Sequence, residues 1–393
     1  MSLYQKASLV QIPSGYKAAD DKLYSVVPNN GDGDFTVSVD ADATRVNKDG
    51  LIESVVADQA RLNYDFSNPQ DPHLLLEPSR TNNILQSNDP SGANWTDPLG
   101  RWTLLTDTTT APDGGTVRII ELTESGGSLI RLTGFSIAAA TYTVSFYIKD
   151  IDGNLTGGSV DVGDEGSGVP SPAFGDVGSD WVRATRTITT TATKTHMDLQ
   201  PTFSGSTNKV AIWGVQLEAG SYATSLIPTS GSAVTRTKDR CTGGGDDNLF
   251  NDTEGVLFVD LQGLADVDAT NRYITLSDGS ATNAVMVQYR NSGDLRLYNG
   301  GTGSANLILS IAADLTERKK IAIQYGTNAN DYKVYINGVS QTISGSFSAT
   351  SMSGLDRFRF DYVVDNLEFF GKVYQAMVFN EALSDTELIT LTS

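Results

Sequence analysis

Apolar residues along this chain recur at every second position in short runs, and clusters of Gly, Asn, Asp, Ser and Pro separate the runs. That spacing is the signature of half-buried β-strands joined by turns. In YTVSFYIKD, Tyr142, Val144, Phe146 and Ile148 fall on one side of an extended chain. In NKVAIWGVQLE, a strict period of two places Val210, Ile212, Gly214 and Gln216 on one face, with Ala211, Trp213, Val215 and Leu217 on the other. EGVLFVDLQG, NRYITLSDG, NAVMVQYR, DLRLYNG, RKKIAIQYG, DYKVYINGV and LEFFGKVYQAMVFN read as strands in the last third. Asn337-Gly338 is the strongest hairpin signal, because both residues tolerate positive φ. EALSDTELITLTS is the one helical candidate, with Ser384 and Glu387 spaced as a capping box.

The pattern predicts an all-β, multidomain chain, since 393 residues exceed the size at which one core stops growing. Residues 1–73 hold many turns and few self-sufficient strands, so this region is expected to pack on a neighbouring subunit or a docking partner. Residues 74–242 carry seven or eight short strands, enough for a jelly-roll sandwich. Within them, Gly153–Asp180 reads as a surface excursion. Residues 243–393 form a second sandwich, with GGGDDN at Gly243–Asn248 as the flexible boundary.

Composition narrows the function. The formal net charge is −19 and no basic cluster is large enough to neutralise a row of phosphates, which excludes a nucleic-acid partner. One cysteine, Cys241, excludes an intrachain disulfide and a thiolate zinc cage. His73 and His196 are far apart in sequence. HExxH, GxSxG and GxxxxGK motifs are absent. Pairs of acids are easily found in an acidic chain, so none marks a glycosidase, and the chain is not expected to be an enzyme. No apolar run reaches the ~18 residues of a membrane span, and MSLYQKASLVQIPSGYK lacks the apolar core of a signal peptide.

Three stretches carry a resemblance. FTVSVDADATRVNKDGLIE (Phe35–Glu53) with LLLEPSRTNNIL (Leu74–Leu85), and WGVQLEAGSYATSLIPTSGSAVTRTKD (Trp213–Asp239), resemble segments of bacteriophage virion proteins of the tail-fibre, head-fibre and receptor-binding kind. There they precede or close a carbohydrate-binding-module-like sandwich. Tyr332–Gly338 followed by Phe370–Thr390 resembles the closing motif of the laminin-G/concanavalin-like lectin superfamily, with Phe379, Ala382, Leu383, Ser384, Glu387 and Leu388 matching. The resemblance implies a carbohydrate-binding-module-like jelly roll followed by a concanavalin/laminin-G-like β-sandwich. It implies a structural role on a virion after assembly in the host cytoplasm. The partners would be other virion proteins through residues 1–80, further copies of this chain in a homotrimer, and a host surface glycan. The alternatives are a capsid decoration or collar protein, or a carbohydrate-active enzyme bearing a lectin module. Some lectin-superfamily members hold calcium on loops, for which Asp260, Asp266, Asp268 and Asp278 are the candidate acids. Tyr273, Tyr289 and Tyr298 are the candidate sugar-contacting residues, as aromatic faces beside amides and acids.

Overall fold

The structure is a computed structural model of the full chain, and it describes residues 2–12, 22–39, 41–66, 68–125, 128–265, 270–300, 307–343, 352–363 and 366–393. The chain forms two compact units, neither of them contiguous in sequence.

The first unit comprises Met1–Ala41, Val55–Pro78 and Lys238–Ser393. Its eight-stranded sheet runs Val339–Ser340, Lys333–Ile336, Lys319–Gly326, Glu254–Gly263, Gly371–Phe379, Asn68–Leu76 and Leu62–Asp65, with Leu9–Gln11 also paired to Gly371–Phe379. A five-stranded sheet runs Leu307–Ala312, Asp294–Asn299, Ala284–Tyr289, Arg272–Ser277 and Arg357–Arg359. Alternation in Glu254–Gly263 sends Leu257, Val259 and Leu261 into the core shared with the five-stranded sheet. Val256 and Phe258 face the other way, towards Leu383, Leu388 and Leu391. The helix Asp385–Thr392 supplies the last two. It starts as expected, with the Ser384 hydroxyl accepting from the Glu387 N–H and the Glu387 carboxylate accepting from the Ser384 N–H at 2.9 Å. The Asn337-Gly338 hairpin also forms, with φ of 48° and 77°.

The second unit comprises Asp42–Ser54 and Ser79–Thr237. Two five-stranded antiparallel sheets face each other across a core of Ile130, Leu132, Val144, Phe146, Val160, Met197, Leu199 and Ile212 among others. One runs Trp102–Thr110, Thr116–Leu122, Asn208–Ala219, Thr141–Asp150 and Val182–Thr189. The other runs Glu165–Gly168, Leu155–Val162, Lys194–Phe203, Ile130–Ile137 and Trp95–Thr96.

The described architecture is all-β and multi-sheet, but the segments group differently from the expected 1–73, 74–242 and 243–393. The described part of residues 1–80 is not a free-standing docking region. Leu9, Leu23, Phe35, Val37, Leu74 and Leu76 are core residues of the first unit. Their apolar positions look too few for a core because their strand partners are distant: Leu9, Leu74 and Leu76 lie on strands paired with Gly371–Phe379, and Val37 pairs with Cys241. The division between the units falls just before GGGDDN, between Thr237 and Lys238, and GGGDDN itself is packed into the first unit. Gly244 exchanges hydrogen bonds with Phe358 at 2.9 and 2.7 Å, and a Cβ there would strike the Phe35 ring. Gly153–Asp180 supplies the Leu155–Val162 strand and the fully buried Phe174, so it is more than a surface excursion.

Strict alternation fails once in Asn208–Ala219. Gly214 takes φ 65°, and the register against Thr141–Asp150 shifts there from Trp213↔Tyr147 to Gln216↔Ser145. This β-bulge inserts one residue and swaps the faces beyond it. Val210, Ile212, Val215 and Leu217 therefore all reach the main core, while Ala211 and Trp213 face a smaller cluster with Ile52, Tyr147 and Leu226.

Parts of the segments Leu74–Leu85 and Trp213–Asp239 are tied together in the second unit. Arg80–Asn82 pairs with Val234–Arg236. The Asn82 amide donates to the carbonyls of Val215 and Ile227 at 3.2 and 2.9 Å. Glu218 accepts from the Thr224 N–H at 3.0 Å, and Gln216 accepts from the Ile227 N–H at 2.6 Å, so two fully buried side chains fix the loop that follows their strand.

Candidate functional site

The five-stranded sheet of the first unit has a second face. In RYITLS (Arg272–Ser277), Ile274 and Leu276 enter the main core and Tyr273 turns away. In AVMVQY (Ala284–Tyr289), Val285, Val287 and Tyr289 point inward, so Met286 and Gln288 point outward. In DLRLYN (Asp294–Asn299), Leu295 and Leu297 point inward, so Arg296 and Tyr298 point outward. The register sets Tyr273 opposite Gln288 and Met286 opposite Tyr298.

The result is a bridged pair of tyrosines. The Gln288 amide donates to the Tyr273 hydroxyl. The Tyr298 hydroxyl donates to Gln288 Oε1 at 3.0 Å. Tyr362 lays its ring against Tyr273 with centroids 4.8 Å apart. Met286, Val363, Leu307 and Leu367 complete the patch, which forms a cluster separate from the main core. Tyr273 and Tyr298 are only 6% and 4% exposed, whereas Tyr362 is half-buried, so Tyr362 is the ring open to a visitor. Burial, then the neighbouring Tyr298, pushes the Tyr273 phenol above its ordinary value, so it remains a neutral hydrogen-bonding group at physiological pH. Arg296 stands at the edge of the patch with 31% of its side chain exposed. Aromatic faces, an oriented amide and a guanidinium are the groups that hold a sugar ring by its apolar face and its hydroxyls.

The structure thus brings two of the three expected tyrosines together and leaves the third out. Tyr289 lies in the main core, edge-on to Phe369 at 5.3 Å, because it has the opposite strand parity to Gln288. Its hydroxyl is buried without a hydrogen-bond partner among the described residues, and burial drives the phenol well above its usual range. Among the acids, Asp260 is buried and forked by Arg318 at 2.7 and 2.8 Å. Asp278 accepts from the Ser280 N–H and hydroxyl, each at 2.7 Å. Partial burial raises its carboxyl, but hydrogen bonds from Ser280 and Asn283 outweigh that and hold it below the usual range. Both acids are spent on local structure. Asp266 and Asp268 lie outside the described residues. Sequence reasoning missed Gln288 and Tyr362. Gln288 sits in NAVMVQYR two residues from Met286, and the same alternation that places Tyr298 outward also places Gln288 there.

No family model matches the sequence, and no curated protein matches it. Solved structures do. The CBM40 of Ruminococcus gnavus IT-sialidase, bound to alpha2,3 sialyllactose, is 15% identical over 39% of this chain and 94% of its own, with a TM-score of 0.30. The NanB sialidase from Streptococcus pneumoniae is 16% identical over 37% of this chain and 25% of its own, with a TM-score of 0.28. The leech intramolecular trans-sialidase is 17% identical over 36% of this chain and 23% of its own, also with a TM-score of 0.28. At this level the likeness assigns a role to no residue of this chain. Among the described residues no helix is long and apolar enough to cross a membrane.

Proposed function

We propose that this chain is a non-catalytic glycan-binding protein whose sugar-contacting surface is the outer face of the five-stranded sheet around Tyr362, Tyr273, Tyr298 and Gln288. The observation that supports it most is the Tyr273–Gln288–Tyr298 bridge beside the accessible Tyr362 ring. A sheet face turned away from its core is usually coated with charge; this one carries aromatic rings and an amide already oriented by two hydroxyls. The virion-fibre reading, with a homotrimer displayed on a particle, is supported by the segments Phe35–Glu53, Leu74–Leu85 and Trp213–Asp239.

A glycan array and a thermal melt on the same two variants test the binding surface. Tyr362→Ala is expected to weaken glycan binding about tenfold while shifting stability by no more than ~1 kcal/mol. Tyr298→Ala empties a buried site and is expected to cost about 3 kcal/mol. Unchanged binding by Tyr362→Ala removes this face from the reading. Immunogold labelling of particles tests the virion placement, and unlabelled particles reject it.

A further inference from the structure

The second unit turns an ionic sheet face away from its core. In KTHMDLQPTF (Lys194–Phe203), Met197, Leu199 and Phe203 enter the core. His196 and Asp198, one position off and two apart, therefore project from the opposite side. Asp198 has Asp161 as its cross-strand neighbour on one side and Arg131 on the other. Asp164 lies in the turn joining Leu155–Val162 to Glu165–Gly168, at φ 62°.

Arg131 grips Asp198 in a fork, Nε to Oδ1 at 2.7 Å and Nη2 to Oδ2 at 2.6 Å. It stands 3.9 Å from Asp164. Asp164 Oδ1 is 3.7 Å from His196 Nε2. One ligand atom each from Asp164, His196 and Asp198 lies within 4.8 Å of the other two. The Nε2 atom of His196 is buried and has no hydrogen-bond partner among the described residues. The charges do not balance: the carboxylates of Asp161, Asp164 and Asp198 meet one guanidinium, and nearby Lys194 is taken by Glu165 at 3.1 Å.

We propose that Asp164, His196 and Asp198 form a binding site for a first-row divalent transition metal such as zinc. A divalent cation would offset the excess negative charge and give the imidazole nitrogen the partner it lacks. One nitrogen and two carboxylate oxygens suit zinc and its neighbours; calcium instead takes six to eight oxygens. Arg131 orients the Asp198 carboxylate as an outer partner, and each carboxylate oxygen keeps a further lone pair for the metal. Asp164 is 79% exposed on a turn, so it can close the last ångström towards the other two.

The test is equilibrium dialysis of the full chain against zinc chloride, with calcium chloride in a parallel arm and a thermal melt in each. One zinc equivalent and a raised melting temperature are expected for the unaltered chain. Asp164→Asn keeps a side chain that tolerates the left-handed backbone and is solvent-exposed, so it should fold normally. It should weaken zinc binding about tenfold or more, and His196→Gln should do the same. Absence of saturable zinc binding overturns the site, as does zinc binding that survives both substitutions. Saturable calcium binding without zinc binding overturns the assigned metal class.

Discussion

Each unit sets an arginine among carboxylates, fully buried in the first (Arg61) and part-exposed in the second (Arg131), and the two arrangements differ. In the first unit, Arg61 is 1% exposed and reaches both acids: its Nη1 donates to Glu77 at 2.6 Å and its Nη2 to Asp239. The Glu77 N–H also donates to Asp239 at 2.6 Å, so the network ties Val55–Pro78 to the start of Lys238–Ser393. In the second unit, Arg131 spends its fork on Asp198 alone. Asp161 is left with the amide of Gln200 as its side-chain partner, at 2.5 Å. Burial first, then the neighbouring Asp198, pushes the Asp161 carboxyl up to about 6. One arrangement makes buried charge a staple between distant segments; the other leaves a surplus of negative charge at a sheet surface.

The difference can be broken most severely by truncation. Deleting residues 1–78 removes Leu9, Leu23, Phe35, Val37, Leu74 and Leu76 from the first core. At roughly 1.5–3 kcal/mol each, their loss is as large as the whole ~5–15 kcal/mol that holds a domain together. Residues 238–393 alone should therefore give no cooperative melt, whereas residues 79–237 alone should melt cooperatively. A sharp transition from residues 238–393 would show that the N-terminal strands are dispensable.

Arg61→Met comes next. It strands two buried carboxylates and should cost ~3–5 kcal/mol in the first unit. A double substitution that also replaces Glu77 and Asp239 by Gln and Asn should recover part of that loss. No recovery in chemical denaturation would mean that packing, not charge, sets the penalty.

Acid should then move the two units in opposite directions. His73 is fully buried, its Nε2 accepting from Asn63 Nδ2 at 3.1 Å and its Nδ1 facing the Asp71 carbonyl at 3.4 Å, the pattern of a neutral ring. Burial, then the nearby Lys372, lowers it to about 4. Its stabilisation of the neutral form is complete above the unfolded value near ~6.5 and is lost as pH falls towards 4. Asp161 has the reverse sign. Its folded state holds the proton more tightly, so stability is greatest below pH ~4 and declines as pH rises through 6. Asp161→Asn should raise the stability of the second unit by ~1–2 kcal/mol at pH 8 and leave it unchanged at pH 4. Equal effects at both pH values would assign the change to packing.

Legibility in the sequence followed the range of the interactions. Alternation revealed Thr141–Asp150 and Glu254–Gly263 because the pleat is local. The Asn337-Gly338 turn and the Ser384 cap were visible for the same reason. The bulge at Gly214 was not, because a glycine inside an alternating run looks like any other position of the pattern. The pairing of Leu9–Gln11 with Gly371–Phe379 was hidden because nothing in a three-residue run names a partner so distant. Nothing local marks Arg61 and Asp239 as buried, since lone charged residues are usually exposed. For the candidate site, Tyr273 and Tyr298 were expected as aromatic contacts, and the strand register puts both on one face. The sequence could not say that each would be almost covered. His196 and Asp198 were legible in hindsight, at i and i+2 of an alternating strand, but Asp164 joins them through a turn whose direction no pattern reports.

The Gly371–Phe379 strand is the neighbour of three other strands, and two of them, Leu9–Gln11 and Asn68–Leu76, precede it by about three hundred residues or more. A nascent chain of this protein can finish its second unit once residue 237 has emerged, while Leu9–Gln11 and Asn68–Leu76 wait for their partner until residues 371–379 have been made. During that interval the early strands carry unpaired edges and uncovered apolar faces, the state in which chains associate with one another. Expression yield should therefore depend on how fast the ribosome covers the codons for residues 238–379, as well as on the stability of the finished fold.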